Sequence, residues 1–345
     1  MMQTNRTYQD TSQRYRMLTS IVANTFNYAV GRGLNAETIS AATGLQRTDL
    51  INPETRLPEE AAATIWNLLS ETYPGETLAL HAASAAPLST FGQLALAAQY
   101  APDVRSALEA IVQYRTVLSD RLSIELFESG TEVALKESHP VDDMDGGYGA
   151  EAGLAILARL GEDCINGESP LVRVNFRHQP FGDRQVYRTF FGTPVYFQQP
   201  NNELVFKKES LSQLTRKGDI HLFRYIKGNL DFLQDHWRRY ASSPQISMLY
   251  DAIARNAEAS EYSTEALAQQ MNMSLRTLQR FAQTHNLTLR ELLDNARQAK
   301  AKQLLKNPAL QIEEISNRLG YSDERSFRRA FKRWTGQSPT VFRRK

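Results

Sequence analysis

The sequence predicts an α+β domain over residues 1–240, followed by an all-α domain over residues 241–345 with two helix-turn-helix motifs joined by a long helix. Three observations predict this. Apolar residues recur at helical spacing through most of the chain but alternate with polar ones at 122–126, 133–135 and 172–176, which places strands among helices. The run Ala241-Ser242-Ser243-Pro244 has the composition of a linker. Beyond it, 267–281 and 315–331 read alike: a short helix, a tight turn, a Ser, then a second helix bearing Arg.

Residues 15–50 are expected to be helical, with Ile21, Val22, Phe26 and Val30 near one face and a break at Gly31-Arg32-Gly33 before a second helix at 36–43. A third helix is expected from about Pro58, whose fixed φ suits a first helical position, to Tyr73, with Ile65, Leu68 and Leu69 inward. Tyr73-Pro74-Gly75-Glu76 is a turn. An Ala-rich piece at 78–86 and a helix at 91–100 follow, separated by Pro87. Asp103 is the expected N-cap of a helix carrying Val104, Ala107, Leu108, Ile111, Val112 and Leu118. Leu122, Ile124 and Leu126, then Val133 and Leu135, alternate on either side of Ser129-Gly130 as a β-hairpin. An acidic, glycine-rich loop at 142–147 leads into a helix over about 149–165. Val172, Val174 and Phe176 mark a strand, 183–190 a short helix, and 195–197 and 204–206 are strand-like. Within 222–237, Phe223, Ile226, Leu230, Leu233 and Trp237 are spaced 3, 4, 3 and 4. That seam fits either a helix packed on its own domain or a homodimer contact.

After the linker, Ile246, Leu249, Tyr250 and Ile253 share one helix face, and Ser263-Thr264 opens the next helix. Thr288-Leu289-Arg290-Glu291 matches a capping box. It starts a helix with Leu289, Leu292, Leu293, Ala296 and Leu304 inward, ended by Asn307-Pro308. This helix, 288–306, is the expected rigid connector of the two motifs.

Composition narrows the function. A chain of 345 residues, 41% hydrophobic and 23% charged, is ordinary for a globular protein. Cys164 is the sole cysteine, so no internal disulfide forms and a reducing cytoplasm is expected. The polar first 20 residues do not resemble a signal peptide, and no apolar run has membrane-spanning length. The net charge of +2 hides an asymmetry: 244–345 has 17 Lys+Arg against 10 Asp+Glu, while the remainder has 23 against 28. A basic C-terminal domain beside an acidic N-terminal one points to a polyanionic partner for the former.

The two motifs suit that partner. A helix-turn-helix needs a small residue where its helices cross, a turn-permissive residue about four positions on, and an apolar anchor on the second helix. Ala268, Asn272 and Leu278 fill these places in the first motif, with Phe281 inward. Ser316, Gly320 and Phe327 fill them in the second, with Phe331 and Trp334 behind. Asn and Gly tolerate the positive φ such turns require. Ser274 and Ser322 are the expected N-caps, and a capped N-terminus points free N–H groups at phosphates. Arg276, Gln279 and Arg280 share the open face of the first second-helix, and Arg325, Arg329 and Lys332 that of the other. Arg pairs with guanine bidentately and Gln with adenine. Arg328 and Arg318 are expected at phosphate.

These residues carry a resemblance. Leu267-Ala268, Ser274-x-x-Thr277-Leu278-x-Arg280, Ala301-x-x-Leu304-Leu305, Ile312-x-x-Ile315-Ser316, Leu319-Gly320-Tyr321-Ser322-Asp323 and Phe327-x-Arg329-Ala330-Phe331-x-x-Trp334-x-Gly336-x-Ser338-Pro339-x-x-Phe342-Arg343 are similar to the DNA-binding domain of AraC/XylS-family regulators. Ser316, Tyr321 and Phe342 depart from its commoner Ala, Phe and Tyr. The resemblance implies seven helices and two recognition helices in successive major grooves of promoter DNA. It places Arg276, Gln279 and Arg280, then Glu324, Arg325, Ser326 and Arg329, at base-contacting positions. In the first domain, Phe91-Gly92-Gln93-Leu94, Ala107-Leu108, Tyr114-Arg115, Val174-x-Phe176-x-His178-x-x-Pro180 and Phe191-Gly192-x-Pro194-Val195-x-Phe197 resemble AraC-family members whose effector domain is labelled arabinose-binding, a group that includes regulators of ornithine and arginine use.

Other chemistries find little support. The histidines at 81, 139, 178, 221, 236 and 285 form no close ligand pair, so no metal is expected. Asp143-x-Asp145 starts like a calcium loop, but Tyr148 and Leu154 stand where Gly and Glu are needed. The glycines at 146, 147 and 149 lack a phosphate-loop Lys-Ser/Thr, and no nucleophile elbow is present. No cofactor and no catalytic constellation is expected. His178 is a candidate effector contact or a structural histidine. The expected protein is a cytoplasmic regulator, not an enzyme: it binds double-stranded promoter DNA, takes a small-molecule effector in its N-terminal domain, and has RNA polymerase and a second copy of itself as further possible partners. The alternative is a ligand-independent regulator controlled by protein–protein interaction.

Overall fold

A short strand, β1 (Arg16–Leu18), opens the part of the chain that the computed structural model describes: residues 15–51, 55–165, 167–241, 244–285, 287–305 and 307–343. Residues 1–14 of the polar N-terminal stretch, linker residues Ser242 and Ser243, and Lys306 of the connector lie outside the described residues. The chain divides between Arg238 and Arg239 into two units, each described by itself.

In the first unit β1 leads directly into α1 (Thr19–Gly31) and α2 (Ala36–Thr43). β1 pairs antiparallel with β2 (Arg56–Pro58), Arg16 opposite Pro58. Two expectations are thereby corrected: 15–50 is not helical throughout, and Pro58 ends a strand instead of opening a helix. The pair has only two strands, so Pro58 sits at an edge, where a missing N–H costs no ladder bond. The helix, α3 (Glu60–Thr72), starts after Glu59, which is buried and held by Arg121, Ser119 and His139. Next come α4 (Leu78–Ala85), α5 (Gly92–Tyr100) and α6 (Val104–Leu118). Asp103 caps α6 by accepting from Ser106 N at 2.7 Å.

The hairpin is β3 (Ser123–Ser129) and β4 (Glu132–Ser138), turned at Gly130 with φ +57°. That conformation favours glycine. α7 (Tyr148–Cys164), β5 (Leu171–Asn175), α8 (Arg184–Phe191), β6 (Val195–Tyr196) and β7 (Asn202–Lys207) follow. The five-stranded sheet has the order β3-β4-β7-β5-β6, antiparallel except between β5 and β6.

One face of the sheet is buried with α5, α6 and α7: Val133 and Leu135 of β4 meet Tyr114, Leu154 and Leu160 in one apolar cluster. A second cluster joins α1 to α4 through Phe26, Ile39, Trp66, Leu69 and Leu78. The last helix of the unit, α9 (Ile220–Ala241), buries Phe223, Ile226 and Leu230 in the first cluster, with Leu233 packed against it. The inner part of the seam, Phe223, Ile226 and Leu230, is therefore packed on its own domain, which removes the apolar surface of those side chains from water.

The second unit is helical: α10 (Pro244–Glu258), α11 (Thr264–Gln270), α12 (Leu275–Thr284), α13 (Leu289–Leu305), α14 (Ile312–Arg318), α15 (Glu324–Thr335) and α16 (Pro339–Arg343). Pro244, assigned above to the linker, is the first residue of α10, where its missing N–H has no intrahelical partner to lose. Leu249 and Ile253 pack with Leu267, Leu278, Leu289 and Leu293 in one cluster, and Ala301 and Leu305 with Ile315, Leu319, Phe327 and Phe331 in another. α13 thus supplies side chains to both. Among the described residues, no helix is long and apolar enough to cross a membrane.

Candidate nucleic-acid interface and ligand cavity

Two helix pairs in the second unit share a construction. In the first, Ser263 Oγ accepts from Ala266 N at 3.1 Å and caps α11. Ala268 is buried and small, so α12 can cross closely. Asn272 takes φ +51°, and Met273 N returns to Ala268 O at 2.9 Å. Ser274 Oγ then caps α12, accepting from Thr277 N at 3.1 Å, and contacts Thr277 Oγ1 at 2.8 Å. Leu278 and Ala282 face the core. Arg276, Thr277, Gln279 and Arg280 are all exposed.

In the second pair, Ser316 is buried and donates to Asp323 O at 3.0 Å. The hydroxyl where the family commonly has Ala thus ties the turn. Gly320 takes φ +72°. The cap differs from expectation: Asp323, not Ser322, caps α15. Its Oδ1 accepts from Ser326 N at 2.7 Å, and its Oδ2 from Ser326 Oγ at 2.8 Å and Ser322 Oγ at 3.1 Å. The Ser326 hydrogen bonds hold this carboxyl below its ordinary pKa. Removing the cap in Asp323→Ala should lower the unit's Tm clearly, and Ser322→Ala should leave it nearly unchanged. Thermal unfolding followed by circular dichroism checks the order, and equal losses would reject the assignment.

Phe327, Ala330 and Phe331 bury one face of α15, while Arg325, Arg329 and Lys332 are exposed on the other. Glu324 and Ser326 are half-buried. Glu324 is engaged with Arg328, which also donates to Thr340 Oγ1 at 3.1 Å, so this pair braces α15 more than it reaches outward. A groove of about 680 Å³ beside α15 is lined by Arg290, Arg297, Arg329 and Arg333 together with Tyr262 and Tyr321. The Arg297 guanidinium lies 4.7 Å from the Tyr262 ring and 5.3 Å from the Tyr321 ring, a cation–π arrangement. Sequence reasoning missed Arg290, Arg297 and Arg333. The seven-residue spacing of Arg290 and Arg297, which puts both on one side of α13, was the available signal.

The first unit holds a cavity of about 140 Å³. Its walls are mostly apolar, and its titratable lining residues are Glu137, His139, Asp142 and Asp145. His178 does not line it. That ring stacks on Phe181 at 4.5 Å and 11°, its Nδ1 bonds Gln179 O at 2.7 Å, and burial lowers its pKa. His178, the effector candidate, therefore sits in an aromatic cluster. Glu137 was overlooked, although the alternation Val133, Leu135, Glu137 puts it on the buried face of β4.

Comparison with known proteins follows the same division. A family model described as the arabinose-binding domain of AraC transcription regulator, N-terminal, matches residues 33–214, and a helix-turn-helix domain model matches 267–345. The regulator VirS of Mycobacterium tuberculosis is 26% identical over 261 residues, covering 74% of this chain and 75% of its own. The ornithine utilization regulator of Pseudomonas aeruginosa is 26% identical over 267 residues, with the same coverage. The crystal structure of the regulator CdpR from Pseudomonas aeruginosa aligns over 94% of this chain and 98% of its own, at 24% identity and a TM-score of 0.47. These features define a transcription regulator with a DNA-binding helix-turn-helix domain and an arabinose-binding-type N-terminal domain. The chain belongs to the AraC family of transcription regulators.

Proposed function

We propose that this protein is a sequence-specific, effector-controlled regulator. Its second unit binds double-stranded promoter DNA through two helix-turn-helix motifs, α11–α12 and α14–α15, joined by α13. Its first unit, up to about residue 240, binds a small molecule, and the protein acts in the cytoplasm, with RNA polymerase as a further partner at the promoter. The observation that carries the reading is the repeated construction: each second helix buries an apolar face and leaves an Arg-bearing face open. In this reading Arg276, Gln279 and Arg280 meet bases from α12, and Arg325, Arg329 and Lys332 from α15. Ser274, Thr277, Ser322 and Ser326 lie at the helix starts, beside phosphate, and Glu324 with Arg328 sets the pose of α15. The cavity in the first unit supports the effector half. A ligand there controls DNA binding only if its affinity differs between two states of the protein.

Arg280→Ala or Arg329→Ala is expected to relax preference at one operator position each, costing roughly 1–3 kcal/mol for the preferred base. Base-substitution profiles of the operator check this. Profiles identical to those of the unaltered protein would reject the assigned faces.

A further inference from the structure

Glu137 lies on the buried face of β4, between Ile124 of β3 and Asn202 of β7, and is only 7% exposed. Its Oε2 has no hydrogen-bond partner, and the side chain lines the 140 Å³ cavity. The other acidic groups of the cavity are already employed. Asp145 accepts from Gly147 N at 2.9 Å and Gly149 N at 3.0 Å, at the start of α7. Asp142 accepts from His139 N at 3.0 Å. The His139 ring is held by Val141 N at 3.2 Å and Ser119 Oγ at 2.8 Å. Among the described residues Glu137 is thus the acidic group of the cavity with a fully buried oxygen that no donor meets, and none of the described lining residues is Lys or Arg.

The ionised form of Glu137 accepts hydrogen bonds only, so a guest that brings donors and positive charge pairs with that form. Three carboxyl groups against one histidine, with no Lys or Arg among the described lining residues, make the cavity favour a positively charged guest over an anion. Around them stand Ile21, Leu94, Leu118, Ile124, Ile156 and Leu160, which need an apolar body to cover. Cavities of about 150 Å³ take guests of benzene size. We infer that this cavity is the effector site and that its ligand class is a small organic monocation, a primary ammonium on a compact apolar body, with the ammonium at Glu137. The inference rests on the effector-controlled reading above and deepens it. Burial, the largest influence, with Asp142 and Asp145 adding to it, raises the pKa of Glu137 well above the ordinary carboxylate value in the empty cavity. Burial therefore favours the neutral acid while the cavity is empty, and a cationic guest at Glu137 would restore the ionised form.

The test uses the full chain and four probes by isothermal titration calorimetry: benzylamine, benzyl alcohol, benzoate and L-arabinose. Benzylamine is expected to bind at least ~10-fold more tightly than benzyl alcohol, the scale of a hydrogen bond to a charged group, and benzoate not at all. Glu137→Gln should lose that ~10-fold preference and keep its weak affinity for benzyl alcohol. Gly153→Leu adds a side chain beside Glu137, where a Cβ would lie 3.8 Å from Oε1, and favours the helix. It should abolish benzylamine binding with Glu137 intact. Equal or tighter binding of benzyl alcohol, benzoate or arabinose overturns the ammonium assignment while the effector reading stands. Unchanged benzylamine binding in Gly153→Leu, or no binding of any probe, overturns the inference. The effector reading falls separately, only if operator affinity also fails to respond to a broad metabolite panel.

Discussion

Raising salt from about 50 mM to about 200 mM is expected to weaken binding of this protein to its operator by on the order of 10³-fold. Affinity for duplex DNA is dominated by release of condensed counterions as cations neutralise phosphates, with a slope near −0.9 per phosphate. The second unit supplies the cations: 17 Lys+Arg against 10 Asp+Glu over 244–345. Beside the base-facing Arg276, Arg280, Arg325, Arg329 and Lys332, the unit exposes Arg318 and Arg333, and Arg290 lines the neighbouring groove. About six neutralised phosphates give the stated loss. Each substitution of a phosphate-contacting Arg by Ala should reduce the slope by roughly 1. Gln279→Ala should leave it unchanged, because an uncharged side chain displaces no counterion. Fluorescence anisotropy of a labelled operator across that salt range reads the slope. A flat dependence would remove the electrostatic basis of the interface.

Phe327→Ala is expected to destabilise the second unit by about 3–5 kcal/mol and to abolish operator binding at 37 °C. Phe327 is fully buried, with its ring centroid 5.7 Å from Phe331 and 5.8 Å from Tyr321, in the cluster with Ile315 and Leu319. Truncation leaves a cavity that rigid helices cannot fill. A domain's total stability is typically about 5–15 kcal/mol, so one ring is a large fraction of it. The melting temperature of this unit should fall by at least ~10 °C, measured by differential scanning calorimetry. A loss below about 1 kcal/mol would mean that Phe327 does not face the core. Arg325 and Arg329 would then not face outward, because their exposure follows from the burial of the opposite side of α15.

Much of the site was legible because its signals are local. Ser274 meets the N–H of Thr277 three residues on, and Asn272 and Gly320 show turn chemistry on their own. The hairpin of β3 and β4 is written in a period of two around one glycine. Features that depend on distant partners were not legible. β1 and β2 are three residues each, and their pairing joins Arg16 to Pro58 across 42 positions of chain. Ser322 and Asp323 are adjacent and both suited to capping; only the geometry of the turn decides which side chain meets Ser326 N. Arg297 gains its setting from Tyr262 and Tyr321, neither of which neighbours it in sequence.

The sequence by itself determined the two-domain composition, the charge asymmetry, the two capped Arg-bearing helices and the apolar faces opposite them. Tertiary structure decided what covers each face. The 3-4-3-4 seam of α9 states that one side of that helix is apolar and is silent about its partner; packing against the sheet's own helices assigned Phe223, Ile226 and Leu230 to the domain core. Likewise, alternation along β4 turns Glu137 inward, but only the assembled walls enclose it in a cavity and leave Oε2 open. The physical reason is common to both. Periodicity fixes the direction of a side chain, whereas burial and hydrogen-bond satisfaction depend on groups that meet only when the chain has folded.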